Sequence, residues 1–313
     1  MASFDTINYS LRPNKHIERG LAFEGISKLG SILDLSAQVY IGFGSIWFTD
    51  FQLAHKMLSI QDMRSIESND IGYARAQFNR PYKTVQVSHN HSSAALPLFA
   101  ADTSINQRPW LVWLDYDSAL TQNVTNDITY VVENCPPNSV LLVTFSATQN
   151  AYGKPSQRPA YLRSILGELV PDELPADDTQ SKMAETLARF VSDYMVSRAA
   201  AMARPGGFVP AFRLIYTDSV TMVTVGGILP SRGAKTSVEG LVSSKKWCGI
   251  ASGRIEAPHL THREIAILQA QLPHSRILTR RTVKRLGFDL KDEQIESFQK
   301  YYRYYPSFAQ VTL

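Results

Sequence analysis

Over the first 147 residues, short runs of β-branched and aromatic side chains alternate with helix-length stretches of mixed polarity. The runs are 38–41, 63–67, 84–87, 110–114 and 139–145, and helical spacing follows at 46–58, 69–78, 92–100 and 118–134. Near-continuous hydrophobicity within each run suits strands covered on both faces, so the rhythm predicts βαβ units and a parallel sheet. Ahead of them Ile17, Leu21, Ile26 and Leu29 fall roughly on one face and predict a helix over 14–30. After residue 147 the rhythm breaks. Pro155, Pro159, Pro171 and Pro175 mark residues 148–180 as an excursion or a lid-like insertion, and a long helix is expected over 180–203. Two further strands, 211–216 and 222–229, are joined by Thr217-Asp218-Ser219 and read as an antiparallel hairpin ending the sheet.

The expected fold is therefore α/β, with a Rossmann-like, mostly parallel sheet of seven strands. Residues 1–230 form the main domain, carrying the insertion and long helix at 147–210. A loop-rich connection follows at 231–257, and a helical extension at 258–313. In that extension Thr261 and Glu264 have capping-box spacing, and helices are expected over 280–286 and 292–302.

Composition adds little to this picture: 44% hydrophobic and 19% charged residues in a chain of 313 fit one large domain with an appendage. No apolar run approaches the roughly 18 residues that span a bilayer, and the start lacks a secretory pattern. Cys135 and Cys248 are too few for a disulfide framework, so a cytoplasmic location is expected. The net charge of +4 is carried by residues 259–313. Arg280, Arg281, Lys284 and Arg285 lie on two helical turns there, either gripping the phosphates of a nucleic acid or a protein partner, or forming a solvated face. Tyr301, Tyr302, Tyr304, Tyr305 and Phe308 add an aromatic cluster that packs a tail helix or recognises a partner.

The chemistry concentrates after the first strand. Gly42-Phe43-Gly44-Ser45 leads from a strand into a helix, a turn in which glycines can adopt angles other residues avoid and a ligand can approach the main chain. Glu67 ends the second strand, where a carboxylate can accept both hydroxyls of a ribose. Asp115-Tyr116-Asp117 ends the fourth, at the sheet edge where ligands bind, and could orient an acceptor or take its proton. His89 and His91 could ligate a metal with one of these aspartates, but no tight ligand spacing supports it. Arg12, Lys15 and Arg19 are candidates to clamp the entrance to the site.

A seven-stranded sheet with a terminal hairpin, a glycine turn after strand 1 and an acid after strand 2 resembles the class I S-adenosylmethionine-dependent methyltransferases. The stretches Leu11-Arg12-Pro13, Ile41 to Ser45, Trp47 to Phe51, Trp113 to Asp117 and Arg204 to Pro210 are similar to a bacterial family of O-methyltransferases. That resemblance implies S-adenosyl-L-methionine as cofactor. Gly42, Phe43, Gly44 and Ser45 would line its methionine part, Glu67 its ribose, and His89, Asn90 and His91 its adenine. Asp115 would sit near the cofactor's ammonium group or the methyl acceptor, with Asp117 beside it as a second catalytic candidate. Two positions depart from the pattern: Tyr40 stands where an acid is usual, and Ile46 where a third glycine is usual. Asp50 or Asp115 could supply the missing acid. Two other readings stay open, a non-catalytic scaffold of the same fold and a nicotinamide-dependent oxidoreductase, against which the terminal hairpin argues. The acceptor and the oligomeric state are not legible.

Overall fold

A computed structural model describes residues 12–174, 180–273 and 278–306. Five strands alternate with helices as the hydrophobic rhythm demands: β1 Val39–Gly42, β2 Asp62–Glu67, β3 Val85–His89, β4 Trp110–Ala119 and β5 Ser139–Ser146. Between them run α2 Thr49–Leu58, α3 Asp70–Phe78, α4 Ser92–Ala101 and α5 Gln122–Asn134, while α1 Pro13–Lys28 precedes the sheet. The hairpin is β6 Val209–Thr217 and β7 Thr221–Leu229, preceded by α6 Arg158–Leu166 and α7 Gln180–Ala201.

Among the described residues the sheet has eight strands in the order β3-β2-β1-β4-β5-β7-β6-β8, one more than the seven expected. The additional strand is β8, Ile250–Ile255, which runs parallel to β6 at the edge. It lies in the stretch expected to be loop, as does α8, Lys235–Val242. β8 has no apolar rhythm of its own and is interrupted by Gly253 at φ +78°, whereas Ala234, Val238, Leu241 and Val242 give α8 one apolar face against the core. Tertiary contact supplies what local pattern lacks, for the Trp247 indole N–H donates to the Ala211 carbonyl at 2.6 Å and ties the segment to β6. Only β7 runs against its neighbours.

Alternation along the strands divides the interior into two cores. Tyr40, Leu111, Trp113 and Leu142 face one side, where α1, α2, α8 and the C-terminal helices pack. Val39, Ile41, Val112, Leu114 and Val143 face the other, covered by α4 to α7. The extension comprises α9 His262–Gln269, α10 Arg280–Arg285 and α11 Asp292–Tyr301. The capping box at its head forms as its sequence requires: Thr261 Oγ1 accepts from the Glu264 N–H and the Glu264 carboxylate accepts from the Thr261 N–H. Its aromatic tail packs inward, with Tyr301 and Tyr305 buried and Tyr304 against α1. Phe308 lies outside the described residues.

Candidate active site

Strand order reverses between β1 and β4, and a crevice opens beyond the carboxyl ends of the parallel strands at such a point. Here it is a cavity of about 720 Å³. The turn after β1 forms its floor, although not by the route its glycines suggested. Neither Gly42 nor Gly44 has a positive φ; the left-handed residues are Ser45 and Phe48, both at φ 50°. The glycines serve close approach. A Cβ on Gly44 would lie 2.5 Å from the Phe48 ring and 2.6 Å from Ser65 Oγ, and one on Gly42 would lie 2.9 Å from the Trp113 carbonyl. The left-handed Phe48 also explains why α2 begins at Thr49 rather than Ile46.

Phe43, Gly44, Ser45, Glu67, Asn90, His91, Asp115 and Asp117 all line the cavity. Gly42 is buried beneath it. His89 does not line it: its ring stacks on Tyr73 at 4.4 Å and its Nε2 lies 3.1 Å from Asp70, on the α3 side. Glu67 accepts a hydrogen bond from the Asn69 N–H at 2.9 Å, which sets the carboxylate at the rim. Ser45 Oγ is buried with no protein partner. Among the described residues no cluster of three or more His, Cys, Asp or Glu could hold a metal.

Helix α1 closes one wall with charge. Arg12, Lys15 and Arg19, the three candidates for the entrance, all line the cavity, and Glu18 lies between Lys15 and Arg19 completely buried. Lys15 Nζ is 2.7 Å from Asp115 Oδ1 and 3.3 Å from Glu18 Oε2, while Arg19 Nε is 2.5 Å from Asp50. Glu18 Oε1 accepts from the Thr224 hydroxyl at 2.6 Å; Thr224 meets Thr144 at 2.7 Å, and Thr144 accepts from the Trp113 indole at 3.0 Å. Burial works to lower the Lys15 pKa, but the carboxylates of Asp115 and Glu18 outweigh it and hold the ammonium charged. For Glu18 burial dominates over the attraction of Lys15, and its pKa is pushed up to about 7. Where the family pattern has an acid, the buried Tyr40 packs edge-on to Phe51 at 4.8 Å. The carboxylates that reach the cavity near that point are Asp50 and Asp115.

The β6–β7 turn adjoins the α1 wall and lines the cavity through Asp218, Ser219 and Val220. No described residue of 148–180 lines the cavity; of the two readings of this stretch, the described residues form an excursion over α5 and α7 rather than a cover for the acceptor. Nor does the far end of β5 contribute; the turn between β6 and β7 takes its place. At α10, Arg280 makes a two-pronged pair with Asp289 at 2.8 Å, and Lys284 lies 3.7 Å from the same carboxylate. Arg281 and Arg285 are exposed.

A family model described as "Putative O-methyltransferase" matches residues 7–313. The chain belongs to that family. By family it is a methyltransferase, and its mostly parallel sheet is Rossmann-like. No curated protein matches it. Among solved structures, Trm1 of Pyrococcus horikoshii with S-adenosyl-L-methionine aligns at 10% identity and TM-score 0.46, over 92% of this chain and 82% of that one. An RNA methyltransferase of the same organism, described as putative, aligns at 11% identity and TM-score 0.41, over 73% and 90%. A Thermobifida fusca protein described as a putative methyltransferase aligns at 12% and 0.41, over 69% and 81%. No described helix of this family member is long and apolar enough to cross a membrane.

Proposed function

We propose that the chain transfers a methyl group from S-adenosyl-L-methionine to an oxygen of an acceptor admitted beside the β6–β7 turn. The observation that carries this reading is the junction of the buried, unpartnered Ser45 hydroxyl with the Glu67 carboxylate in one cavity at the sheet's reversal point. A hydroxyl deprived of water and of protein partners calls for a polar ligand group. The turn Phe43-Gly44-Ser45 would hold the cofactor's methionine end, Glu67 its ribose, and Asn90 and His91 its adenine. Asp50 and Asp115 would face the ammonium group in place of the acid that Tyr40 replaces. When bound, the cofactor would supply an electrophilic methyl on a sulfonium: in-line attack by the acceptor oxygen forms the C–O bond as the C–S bond breaks, S-adenosylhomocysteine leaves, and the oxygen's proton passes to a carboxylate.

What the chain's residues contribute is placement. Asp115 already shares its charge with Lys15 and lies 3.9 Å from Arg19, which suits orienting more than proton removal. Asp117, exposed at the rim, is the freer carboxylate to accept the acceptor's proton. Calorimetric titration with S-adenosylhomocysteine tests the reading. Saturable binding is expected, with Glu67→Ala weakening it about tenfold, the loss of a charge-assisted hydrogen bond. Binding of a nicotinamide dinucleotide instead would overturn it.

A further inference from the structure

Asp127 sits on α5 within an apolar face formed by Val124, Ile128 and Val131, and is 2% exposed. A carboxylate is costly in such a place unless its oxygens are used. One oxygen, Oδ2, accepts two hydrogen bonds, from the Tyr116 hydroxyl at 2.6 Å and from the Ser92 hydroxyl. Both donors line the cavity, one from the end of β4 and one from the first turn of α4. The Tyr116 ring then meets Phe43 edge-on, with centroids 5.1 Å apart and planes at 66°. Phe43 belongs to the turn after β1. Burial and the Asp127 charge both raise the Tyr116 pKa, so its hydroxyl stays protonated and remains a donor. One buried oxygen thus ties together three walls of the cavity that come from three separate strand ends.

We propose that Asp127 is a positioning residue: without touching the cofactor, it latches Tyr116 and Ser92 so that the wall they share with Phe43 is set before the cofactor arrives. This rests on the cofactor reading given above. Pre-organisation of this kind acts on affinity by removing the cost of ordering side chains upon binding.

The test is titration of the full chain with S-adenosylhomocysteine, at a temperature where every variant is folded by circular dichroism. Asp127→Ala and Tyr116→Phe are each expected to weaken binding about fivefold, the equivalent of one hydrogen bond. Combined, they should weaken it no more than either alone, because both open the same latch. Asp127→Asn keeps an acceptor oxygen at that position and should stay within about twofold of wild type. Tyr116→Phe removes one oxygen atom from the chain, so it keeps the test decisive should Asp127→Ala not fold. Additive losses, or wild-type affinity in Tyr116→Phe, would overturn the latch while leaving the cofactor reading in place. Wild-type protein that takes up no S-adenosylhomocysteine would overturn that reading, and the latch with it.

Discussion

Glu18 shows how one side chain sets a pH dependence. Its pKa rises from 4.5 to about 7 in the fold because burial, the largest influence, outweighs Lys15. Between those values the native state keeps a proton that the unfolded chain has released, so stability falls as pH rises through this window. The contribution is complete below pH 4.5 and lost above about 7. Glu18→Gln is therefore expected to flatten the stability profile over that range and to raise stability at pH 8, as urea unfolding at pH 5 and pH 8 will show. At Gly44 the argument is steric. An alanine there meets the Phe48 ring at 2.5 Å and disturbs the 3.1 Å bond that Gly44 N–H donates to Ser65 Oγ. Gly44→Ala should cost about 1–3 kcal/mol by overpacking, measurable as a lower denaturation midpoint at unchanged m-value. The glycine itself was evident in the chain. That it serves contact rather than a positive φ was not, because Phe48 and Ser65 reach it from other parts of the fold.

Helix α1 illustrates what elements do for one another. Its first residue, Pro13, suits a helix start, but its N-cap residue Arg12 makes no side-chain cap. That end is held instead by the β6–β7 turn, where Asp218 lies near Arg12, Lys15 and Arg19 and burial raises its pKa. Asn14 continues the clasp, donating to the Thr217 carbonyl and accepting from the Ala257 N–H at 2.6 Å. Asn14→Ala should cost about 1–3 kcal/mol, since it removes the hydrogen bonds to the Thr217 carbonyl and the Ala257 N–H. Faster hydrogen exchange is expected at the first α1 amides, with the α5 amides unchanged. Amphipathic spacing made α1 legible, and it also singled out Lys15 and Arg19. Glu18 escaped notice because an i, i+3 Lys–Glu pair ordinarily lies in solvent; its burial reflects the elements stacked over that face.

At the scale of the molecule, the C-terminal extension is part of the site's support. A Cβ on Gly20 of α1 would come within 2.7 Å of the Tyr304 ring, and the Tyr304 hydroxyl donates to Glu24. The extension thereby presses α1 onto the sheet, keeping Lys15 and Arg19 over the cavity. Tyr304→Ala is expected to lower stability by about 1–2 kcal/mol and to weaken S-adenosylhomocysteine binding alongside it, a pairing that calorimetry reads in one series. Unchanged binding would separate the extension from the site.

Periodicity was enough to settle the five parallel strands, their helices and the terminal hairpin, because burial on both sheet faces leaves a signature within each short segment. The glycine turn and Glu67 could likewise be located, since each closes a strand whose direction the alternation of elements dictates, and so could Asp115, although β4 runs on past it to Ala119. Long-range contact decided the remainder. β8 exists because β6 offers an open edge, Asn14 of α1 is clasped to the β6–β7 turn across 203 positions, and Asp127 matters because two hydroxyls from other elements converge on it. Such pairings depend on which segments become neighbours, and no local pattern records that.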